Sequence, residues 1–241
     1  MMEYLYLGRL EYAEALGLQR ECVELRHAGR IGNLLLLLEH PPVLTLGRNA
    51  RRGNILASDE LLASRGITVH EINRGGDVTY HGPGQLVGYP IFDLRSLRNQ
   101  AGNRLGPIDY VRRLEESLIR LCASYGIASG RVAGRTGVWA SAEREGTERK
   151  IAAIGVHVSR GITSHGFALN VTTRPEDFQW IVPCGIADRA VTNIERELLP
   201  EQHDSADLGL ESVANRAALC FGQVFGEQVL ALAGLSALRS R

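Results

Sequence analysis

The sequence predicts a single domain of the α/β class, spanning residues 1–241, in which one mixed sheet is flanked by helices. Segments rich in β-branched and apolar residues concentrate in the middle of the chain, and helical patterns lie before and after them. No linker rich in Ser, Gly or Pro and no internal repeat divides the chain. The hydrophobic fraction of 44% suits a globular protein with a sizeable core.

The first third of the chain predicts a helix followed by three strands. Residues 9–29 are mixed and charged, and they are interpreted as a helix that ends near Gly29. The stretch NLLLLLEHPPVLTLG predicts two strands separated by Pro41 and Pro42, because proline interrupts a sheet. The short stretch ITVHEI alternates weakly and predicts a third strand.

The middle of the chain predicts one further strand and a long helix. The stretch LVGYPIFDL favours a strand, which Pro90 would place at an edge or a bend. An amphipathic helix is predicted from Pro107 to Gly126, because apolar residues recur there at three- and four-residue spacings. The residues of this apolar stripe are Ile108, Val111, Leu114, Leu118, Cys122 and Tyr125.

The last part of the chain predicts three strands and a helical end. Strands are predicted in TGVWAS, KIAAIGVHVS and SHGFALNVT, and RGIT joins the last two as a hairpin. The C-terminal segment, about residues 207–236, is interpreted as helical with a break near Gly226.

Charge and hydropathy bound the class of protein. The chain carries 27 Lys+Arg and 27 Asp+Glu, and this balance argues against a general nucleic-acid binder. Its first residues do not resemble a signal peptide, and its longest apolar run, residues 34–38, is too short to span a bilayer. We therefore expect a cytoplasmic protein that binds neither nucleic acid nor membrane.

The four cysteines predict neither a metal site nor a disulfide framework. No two of them are close enough in sequence for a zinc-ligand pair. Cys22, Cys122 and Cys220 lie in helical patterns, where the expected role is that of a small buried hydrophobe. Cys184 differs, because it lies between a proline and a glycine in IVPCGIAD, which predicts a turn or loop.

Residues 73–90, NRGGDVTYHGPGQLVGYP, combine glycines with many hydrogen-bonding side chains. Glycine lets a ligand approach the backbone closely, and a simple turn would not need the polar side chains as well. A dinucleotide loop is disfavoured, because the spacing of Gly82, Gly84 and Gly88 is one residue too long and Pro90 prevents the following helix. No Walker loop of the form GxxxxGK[ST] occurs. The run is therefore interpreted as a wall of some other pocket.

The part of this run from Arg74 to Tyr89, RGGDVTYHGPGQLVGY, resembles without a gap the signature of the lipoyl(octanoyl) transferases. The blocks EHPPVLTLGRNA, GRTGVWA, KIAAIGVHVSRGITSHGFALNV and IVPCGI occur in the order of that family, so the resemblance covers about residues 39–195. It implies the mixed-sheet fold of the biotin and lipoate protein ligases. It also implies an acyltransferase, free of metal and cofactor, that moves an octanoyl group from acyl carrier protein to lipoyl domains in protein lipoylation.

The same resemblance implies a Cys/Lys pair and three substrate-contact blocks. The nucleophilic cysteine of the family falls on Cys184, and its lysine falls on Lys150. Gln85 and His165 are interpreted as further pocket residues. The substrate-contact blocks are Arg74, Gly75, Gly76, Asp77, Val78, Thr79, Tyr80 and His81, then Ala153, Ile154 and Gly155, and finally Gly166, Phe167 and Ala168.

The residue types fit this chemistry in more than one way. A free thiol has a pKa near ~8.5, so it needs activation before it attacks a carbonyl at pH 7. The ammonium of Lys150 would favour the thiolate, whereas a deprotonated Lys150 would accept the thiol proton, and the sequence leaves both roles open. Without the resemblance, Lys150 would be interpreted as a solvated lysine at a strand end. His81 and His165 are rival bases for Cys184; they are interpreted as pocket residues, and a hydrogen-bonded structural histidine is the alternative for each.

Small side chains recur in IAAIG and HGFALN, where strands usually hold bulky residues. Ala152, Ala153, Gly155, Gly166 and Ala168 would leave a groove beside the sheet. An eight-carbon tail has about seven CH2 or CH3 groups, which at ~0.8 kcal/mol each give roughly 5 kcal/mol of transfer free energy. The alternative is that these small residues let a helix pack closely on the sheet.

The resemblance also implies the partners. The donor is octanoyl-acyl carrier protein, and the acceptors are lipoyl domains of 2-oxoacid dehydrogenase complexes and the glycine cleavage H protein; the family favours a monomer. Arg48, Arg51 and Arg52 either dock the acidic carrier or form an ordinary solvated loop. Two other hypotheses stay open: an ATP-dependent lipoate or biotin ligase of similar fold, and a non-catalytic homologue that only binds acyl groups or lipoyl domains.

Overall fold

The computed structural model describes residues 1–99, 101–142, 146–182 and 190–239, and it confirms a mixed α/β fold with a large sheet flanked by helices. The strands are β1 (Met2–Arg9), β2 (Asn33–Glu39), β3 (Val43–Leu46), β4 (Thr68–Glu71), β5 (Val78–His81), β6 (Gln85–Ile91), β7 (Ser129–Val132), β8 (Arg135–Ala140), β9 (Arg149–Ser159), β10 (Ile162–Asn170) and β11 (Val229–Ala231). The helices are α1 (Tyr12–His27), α2 (Asp59–Ser64), α3 (Pro107–Ala123), α4 (Ile194–Glu197), α5 (Leu210–Phe225) and α6 (Ser236–Arg239). Short 3-10 turns cover Arg52–Asn54, Pro175–Trp180 and Pro200–Gln202.

Eight strands form the large sheet, in the order β11-β1-β2-β6-β10-β9-β8-β7. β1 and β2 run parallel, with α1 as the crossover between them, and β11 also pairs parallel with β1. From β2 to β7 the neighbouring strands pair antiparallel. The sequence predicts one sheet, but a second sheet of three strands, in the order β4-β3-β5, is also present. It begins directly after Pro41 and Pro42, which end β2 and turn the chain away from the large sheet.

The position of β2 explains the run of five leucines in the sequence. Residues 34–38 are all 0% exposed, because β2 lies inside the large sheet and is covered on both faces. Leu35 and Leu37 belong to the core under α3 and α5, whereas the three leucines that alternate with them belong to the core under α1. The alternation of one strand thus divides a continuous apolar run between two cores.

The long helix and the hairpin largely follow their predictions. α3 begins at Pro107, and the turn after it contains Gly126 at a φ of +75°. The expectation that Ile108 joins the apolar stripe is wrong, because this residue lies in the first helical turn, before the buried stripe begins, and is 77% exposed. β9 and β10 form the predicted hairpin, in which Arg160 and Gly161 both have positive φ, as two-residue hairpin turns require.

The expectation that Pro90 lies at an edge or a bend is wrong, because β6 lies in the middle of the large sheet between β2 and β10. Proline is accommodated there because the backbone pairing of β10 with β6 ends at Gly88, opposite Phe167. Beyond that point Thr163 replaces the missing ladder contact, since its hydroxyl donates to the Pro90 carbonyl at 2.6 Å. The missing N–H of Pro90 therefore leaves no ladder bond unmade.

The sequence patterns do not predict two strands of the parallel part of the large sheet, β1 and β11. The predicted break near Gly226 is confirmed, since α5 ends there at a left-handed φ of +69°, but the expectation that helix resumes after it is wrong, because β11 follows. β1 was not predicted at all. Each of these strands gains its partner from a distant part of the chain, since β11 pairs with β1 and β1 with β2.

Among the described residues, every helix is too short or too polar to cross a bilayer, and no group of His, Cys, Asp or Glu is placed to hold a metal ion.

A buried ion pair fixes the start of β9 to the end of α4. Arg149 donates from Nε and Nη2 to the two carboxylate oxygens of Glu197, both at 2.9 Å, and the two side chains are 4% and 6% exposed. The hydroxyl of Thr192 donates to the same carboxylate at 2.6 Å. Removing one partner of such a pair leaves the other charge uncompensated in a low dielectric, which is far more costly than losing an exposed pair.

Replacing Glu197 with Gln should lower the free energy of unfolding by about 3–5 kcal/mol, because the charge of Arg149 then stays buried opposite a neutral group. Urea unfolding followed by circular dichroism measures this change. The matched control is Arg160→Gln, which breaks an exposed pair with Glu24 whose side chains are 55% and 64% exposed, and it should cost less than ~1 kcal/mol. Equal costs for the two substitutions would contradict a structural role for the buried pair.

Candidate active site

A β-bulge in β9 turns Lys150 toward the space between the two sheets. The pairing of β8 with β9 shifts register at this point, so that Ile151 is an extra residue on β9. Ile151 and Ala152 consequently both pack in the core under α3 and α5. The bulge thereby reverses the alternation of the strand, and Lys150 shares the opposite face with Ala153 and Gly155.

This face of the large sheet and the small sheet enclose a cavity of about 300 Å³. Its floor contains small residues of β9 and β10, so the sequence-predicted groove exists, although Ala152 lies on the other face. The site residues predicted from the sequence that line the cavity are Arg74, Gly76, Asp77, Thr79, His81, Lys150, Ala153, Ile154, Gly155, His165, Gly166, Phe167 and Ala168. Most of the predicted site residues thus meet in one cavity, and their roles stay predictions.

The glycine-rich run does not line the cavity as a whole, because part of it, residues 78–81, forms strand β5. Within β5, Thr79 and His81 face the cavity. Val78 and Tyr80 point the other way and pack in an apolar cluster with Phe178. The alternation of strand side chains causes this division, which a block of consecutive motif residues does not reveal.

Gly75 and Gly155 let the loop before β5 lie directly on the large sheet. The N–H of Gly75 donates to the Val156 carbonyl at 2.9 Å. A Cβ on Gly155 would lie 2.8 Å from the Gly75 carbonyl oxygen, so no side chain fits there. The sequence offers the alternative that small residues let a helix pack closely on the sheet. At Gly155 it is the loop at Gly75, and not a helix, that packs closely on the sheet. The Gly75 N–H, already bonded, is also not free to stabilise a reacting group.

Arg74 places a buried positive charge at the wall of the cavity. It is 8% exposed, and its guanidinium donates to Oγ1 of Thr45 at 2.9 Å and to the Thr45 carbonyl at 2.7 Å. It also donates to the Gly75 carbonyl at 3.0 Å. These bonds fix the position of the guanidinium. Together with burial, its positive charge contributes to the lowered pKa values of His81 and His165.

Two histidines that line the cavity, His81 and His165, and His40, which lies against His81, are neutral at pH 7. Burial lowers the pKa of His81 to about 3 and the pKa values of His40 and His165 to about 4. Nδ1 of His81 lies 2.7 Å from Oε1 of Gln85, whose amide nitrogen donates to Asn170 at 2.9 Å. Gln85 thus orients His81 from behind, and it lines a small recess beside the main cavity.

His165 breaks the alternation of β10. Phe167 and Leu169 on the same strand pack in the core under α3 and α5. His165 has a left-handed backbone with a φ of +53°, which few non-glycine residues adopt, and its side chain lines the cavity on the other face. Its N–H donates to Oε1 of Gln19 at 2.8 Å, and its Nε2 lies 2.8 Å from Oδ1 of Asn73. Both contacts hold this strained residue in place.

Lys150 is 8% exposed and lies against β8. Its ammonium is 5.3 Å from the centre of the Trp139 ring. A Cβ on Gly137 would lie 2.8 Å from Cε of Lys150, so this glycine leaves room for the lysine stem. The N–H of Lys150 donates to the Ala190 carbonyl at 2.9 Å, and its carbonyl accepts from the N–H of Thr192 at 3.0 Å.

The predicted nucleophile Cys184 lies outside the described residues, within 183–189. The chain on one side is held at Val182, whose N–H donates to the Asn54 carbonyl at 2.8 Å. The chain on the other side begins at Ala190, which is bonded to the backbone of Lys150. The segment that carries Cys184 is therefore attached, at one end, to the residue predicted to assist it.

The other three cysteines are free and buried, as predicted. Their residues are only 1% (Cys22), 0% (Cys122) and 7% (Cys220) exposed. Burial raises the pKa of Cys122 to about 12 and also raises the pKa of Cys220. The thiols of Cys122 and Cys220 therefore stay protonated at neutral pH, as inert core residues do.

Sequence reasoning missed six residues that line the cavity. They are Tyr12, Val87, Tyr89, Gly134, Arg135 and Thr136. The last three belong to the block GRTGVWA, whose family resemblance was the available signal. Tyr12 reaches the cavity from α1 and stacks on His81 with ring centres 6.3 Å apart, a contact that only the fold creates. Burial raises the pKa of Tyr12 to about 12, so it stays protonated.

Comparison with known proteins identifies similar sequences. The chain matches the lipoyl protein ligase A/B catalytic domain over residues 11–217. It is 63% identical over 231 residues to an octanoyltransferase of Acidobacterium capsulatum, covering 95% of this chain and 92% of that protein. It is 54% identical over 238 residues to an octanoyltransferase of Koribacter versatilis, covering 99% of this chain and 90% of that protein.

Solved structures share the fold. A bipartite lipoate protein ligase from Thermoplasma acidophilum superposes with a TM-score of 0.68 at 16% identity, covering 100% of this chain and 91% of that one. Lipoate-protein ligase A bound with ATP superposes with a TM-score of 0.68 at 14% identity, covering 100% of this chain and 94% of that one. At such low identities these likenesses establish the fold alone.

Lowering the pH from 7 to 5 should reduce the free energy of unfolding, because the buried histidines stay neutral when folded and bind protons when unfolded. The folded pKa values, about 3 for His81 and about 4 for His165, lie below the unfolded value of 6.5. Stability is therefore complete above the unfolded pKa and is lost as the pH falls toward the folded pKa. Each such histidine contributes up to ~1.4 kcal/mol per pH unit.

Urea unfolding at pH 7 and pH 5 measures this loss in wild type and in His81→Gln. The substitution removes one neutral buried imidazole, so the loss should shrink by about 2 kcal/mol. His203 is exposed, and His203→Gln should leave the loss as in wild type. A loss in His81→Gln as large as in wild type would show that His81 is protonated in the folded protein.

Proposed function

We propose, from the premise that this chain belongs to the lipoyl(octanoyl) transferase family, that it transfers an octanoyl group to protein lysines through a thioester on Cys184. Membership rests on the match to the lipoyl protein ligase A/B catalytic domain and on the 63% identical octanoyltransferase, 92% of which is covered. The chain is accordingly an acyltransferase, and octanoyl transfer in protein lipoylation is the reaction that its relatives support. The donor, the covalent intermediate and the acceptors are the finer parts of the proposal.

One observation carries the proposal. The bulge in β9 directs Lys150 into a cavity whose floor is small residues, while the backbone of the same lysine bonds to Ala190, next to the segment that carries Cys184. An amine, an alkyl-sized space and the attachment of a cysteine-bearing segment thus occur at one place. This combination suits a thiol that accepts and passes on an acyl chain.

In the first step the Cys184 thiolate attacks the carbonyl carbon of octanoyl-acyl carrier protein. A bond forms between Sγ and that carbon, the bond to the carrier's pantetheine sulfur breaks, and the released thiolate takes up the proton that Cys184 lost. One thioester replaces another, so the step is close to balanced in free energy. Lys150 assists, either as the ammonium that favours the thiolate or as the base that takes its proton.

In the second step the lysine amine of the acceptor attacks the thioester carbonyl on Cys184. A carbon–nitrogen bond forms, the carbon–sulfur bond breaks, and the amine proton returns to the cysteine, which restores the thiol. An amide is more stable than a thioester, so the step runs downhill and needs no nucleotide. The neutral histidines around the cavity carry no charge that would repel a cationic Lys150.

The cavity suits an alkyl chain. Its volume of about 300 Å³ lies at the small end of the range of ligand sites, ~300–1,000 Å³. Ala153, Ala168 and Val87 give it apolar surface without bulk. Burying about seven methylene and methyl groups at ~0.8 kcal/mol each contributes roughly 5 kcal/mol, which is enough to hold the chain during both steps.

The proposed donor is octanoyl-acyl carrier protein, an acidic protein. Arg48, Arg51 and Arg52 form an exposed basic group near Asp77, and Arg52 also pairs with Asp59. This group supports docking of an acidic carrier, although an ordinary solvated loop has the same composition.

The proposed acceptors are the lipoyl domains of 2-oxoacid dehydrogenase complexes and the glycine cleavage H protein. The Thermoplasma acidophilum ligase that shares the fold was solved as part of a lipoylation system with its E2 lipoyl domain. A cytoplasmic monomer completes the proposal.

Mixing the protein with octanoyl-acyl carrier protein, without ATP, should add one octanoyl group to the chain, because the thioester donor already carries the energy for transfer. Intact-mass spectrometry measures the adduct, and Cys184→Ala should show none. Cys122→Ala is the matched control and should acylate like wild type, since Cys122 is fully buried.

Two outcomes would contradict this mechanism. An unlabelled wild type that transfers octanoate only when ATP is added would favour a ligase, a reaction that a relative of the same fold, solved with ATP, makes reasonable. An unlabelled wild type that transfers nothing under either condition would favour a non-catalytic binding protein.

Replacing Lys150 with Ala should slow the acylation of Cys184 at least tenfold at pH 7 and move its pH profile upward, toward the ordinary thiol pKa of ~8.5. Rapid-quench mass spectrometry across pH 6–9 measures the rate. Lys150→Arg separates the two roles, because arginine keeps the positive charge but does not accept a proton. An unchanged profile in Lys150→Ala would remove this lysine from the mechanism.

A further inference from the structure

A second, larger groove of about 820 Å³ lies beyond the cavity on the same face of the large sheet. Successive rows of cross-strand pairs on β9 and β10 define the order: Ala153 with Ala168 and Gly155 with Gly166 floor the cavity, and His157 with Ser164 floors the groove. The cavity and the groove therefore form one line along the strands, with Lys150 at the cavity end.

A partition crosses this line between the two spaces. Over β9 it is the loop at Gly75, which lies directly on Gly155. Over β10 it is the side chain of His165, which lines both the cavity and the groove. The hydrogen bond between Nε2 of His165 and Oδ1 of Asn73 joins the two halves of the partition.

The backbone of His165 is what puts its ring in this position. An ordinary strand residue at 165 would point into the core under α3 and α5, as Leu169 does on the same strand. The left-handed φ of +53° rotates the side chain to the opposite face instead. Contacts from Gln19 and Asn73 keep it there, so the ring is a built part of the cavity wall.

We propose that His165 is the end wall that limits the length of the acyl chain this enzyme accepts. The inference rests on the proposed function, in which the acyl carbonyl lies at the Lys150 end. Gly155 lies five positions after Lys150 on β9 and pairs with Gly166, the residue next to His165. An acyl chain lying along the strands then directs its terminal methyl group at His165.

The groove beyond the wall offers room for further methylene groups. Leu16 and Val23 of α1, Ile72 and Ile162 give it apolar sides, and its charged residues, such as Arg20, are exposed. A chain longer than octanoyl would therefore find apolar contacts there if the ring of His165 were absent. With the ring in place, the chain would have to displace a buried side chain held at two points.

The test is His165→Gly. Glycine suits the left-handed backbone, and the N–H that donates to Gln19 is kept, so the fold is expected to survive. His157→Ala is the matched control, because this histidine lines the groove without touching the partition. The rates of Cys184 acylation by octanoyl-, decanoyl- and dodecanoyl-acyl carrier protein are compared as kcat/KM ratios.

The ratio of dodecanoyl to octanoyl should rise at least tenfold in His165→Gly, since each newly buried methylene contributes a factor of about four. It should change less than twofold in His157→Ala. An unchanged ratio in a folded His165→Gly protein overturns the proposal, and so does an equal rise in both variants.

A second measurement does not depend on transfer. Calorimetric binding of octanoate and dodecanoate to Cys184→Ala, with and without His165→Gly, should show the same tenfold gain for the longer acid. If no donor acylates wild type but this gain is found, the proposed reaction fails and the end wall stands. If the donor acylates wild type and this gain is absent, the end wall fails alone.

Discussion

The contact between the Gly75 loop and strand β9 is the constraint on which the site depends. The large and small sheets enclose a space because this loop lies directly on the strand, bonded to Val156 and clear of any side chain at Gly155. The N–H of Gly75 donates to Val156 and its carbonyl accepts from the guanidinium of Arg74, so both sides of this peptide are held. A methyl group at Gly155 would have to push the two sheets apart, so the dimensions of the cavity follow from this approach.

Two departures from strand alternation then shape what the cavity contains. The bulge at Ile151 brings Lys150 to the cavity face, and the left-handed backbone of His165 brings an imidazole to the same face from the other side. Each departure is supported elsewhere, by the buried pair of Arg149 with Glu197 and by the amide of Gln19. The regular sheet thus supplies a smooth apolar floor, and its irregularities supply the functional groups.

Sequence patterns predicted the strands that carry their own signal, such as the leucines of β2, whose alternation sorts them between two cores. They missed β1 and β11, because those strands depend on each other across the whole chain. They misplaced Pro90, because the pairing of β10 with β6 ends at Gly88, before the missing N–H would be needed. The cavity residues came from a family resemblance that names consecutive positions. The fold is needed to show that His81 faces the cavity while its neighbour Tyr80 faces the other side of β5, and that Tyr12 of α1 reaches the site.

The burial of the other thiols has a practical consequence for covalent chemistry on this protein. Cys22, Cys122 and Cys220 lie in buried positions, and a sulfur shielded from solvent is a poor target for an electrophile. Rapid modification of the native protein by iodoacetamide or an acrylamide would therefore report on Cys184. Such a reaction would make Cys184 a single-cysteine handle for fragment screens or fluorescent reporters in the wild-type chain, without any engineering.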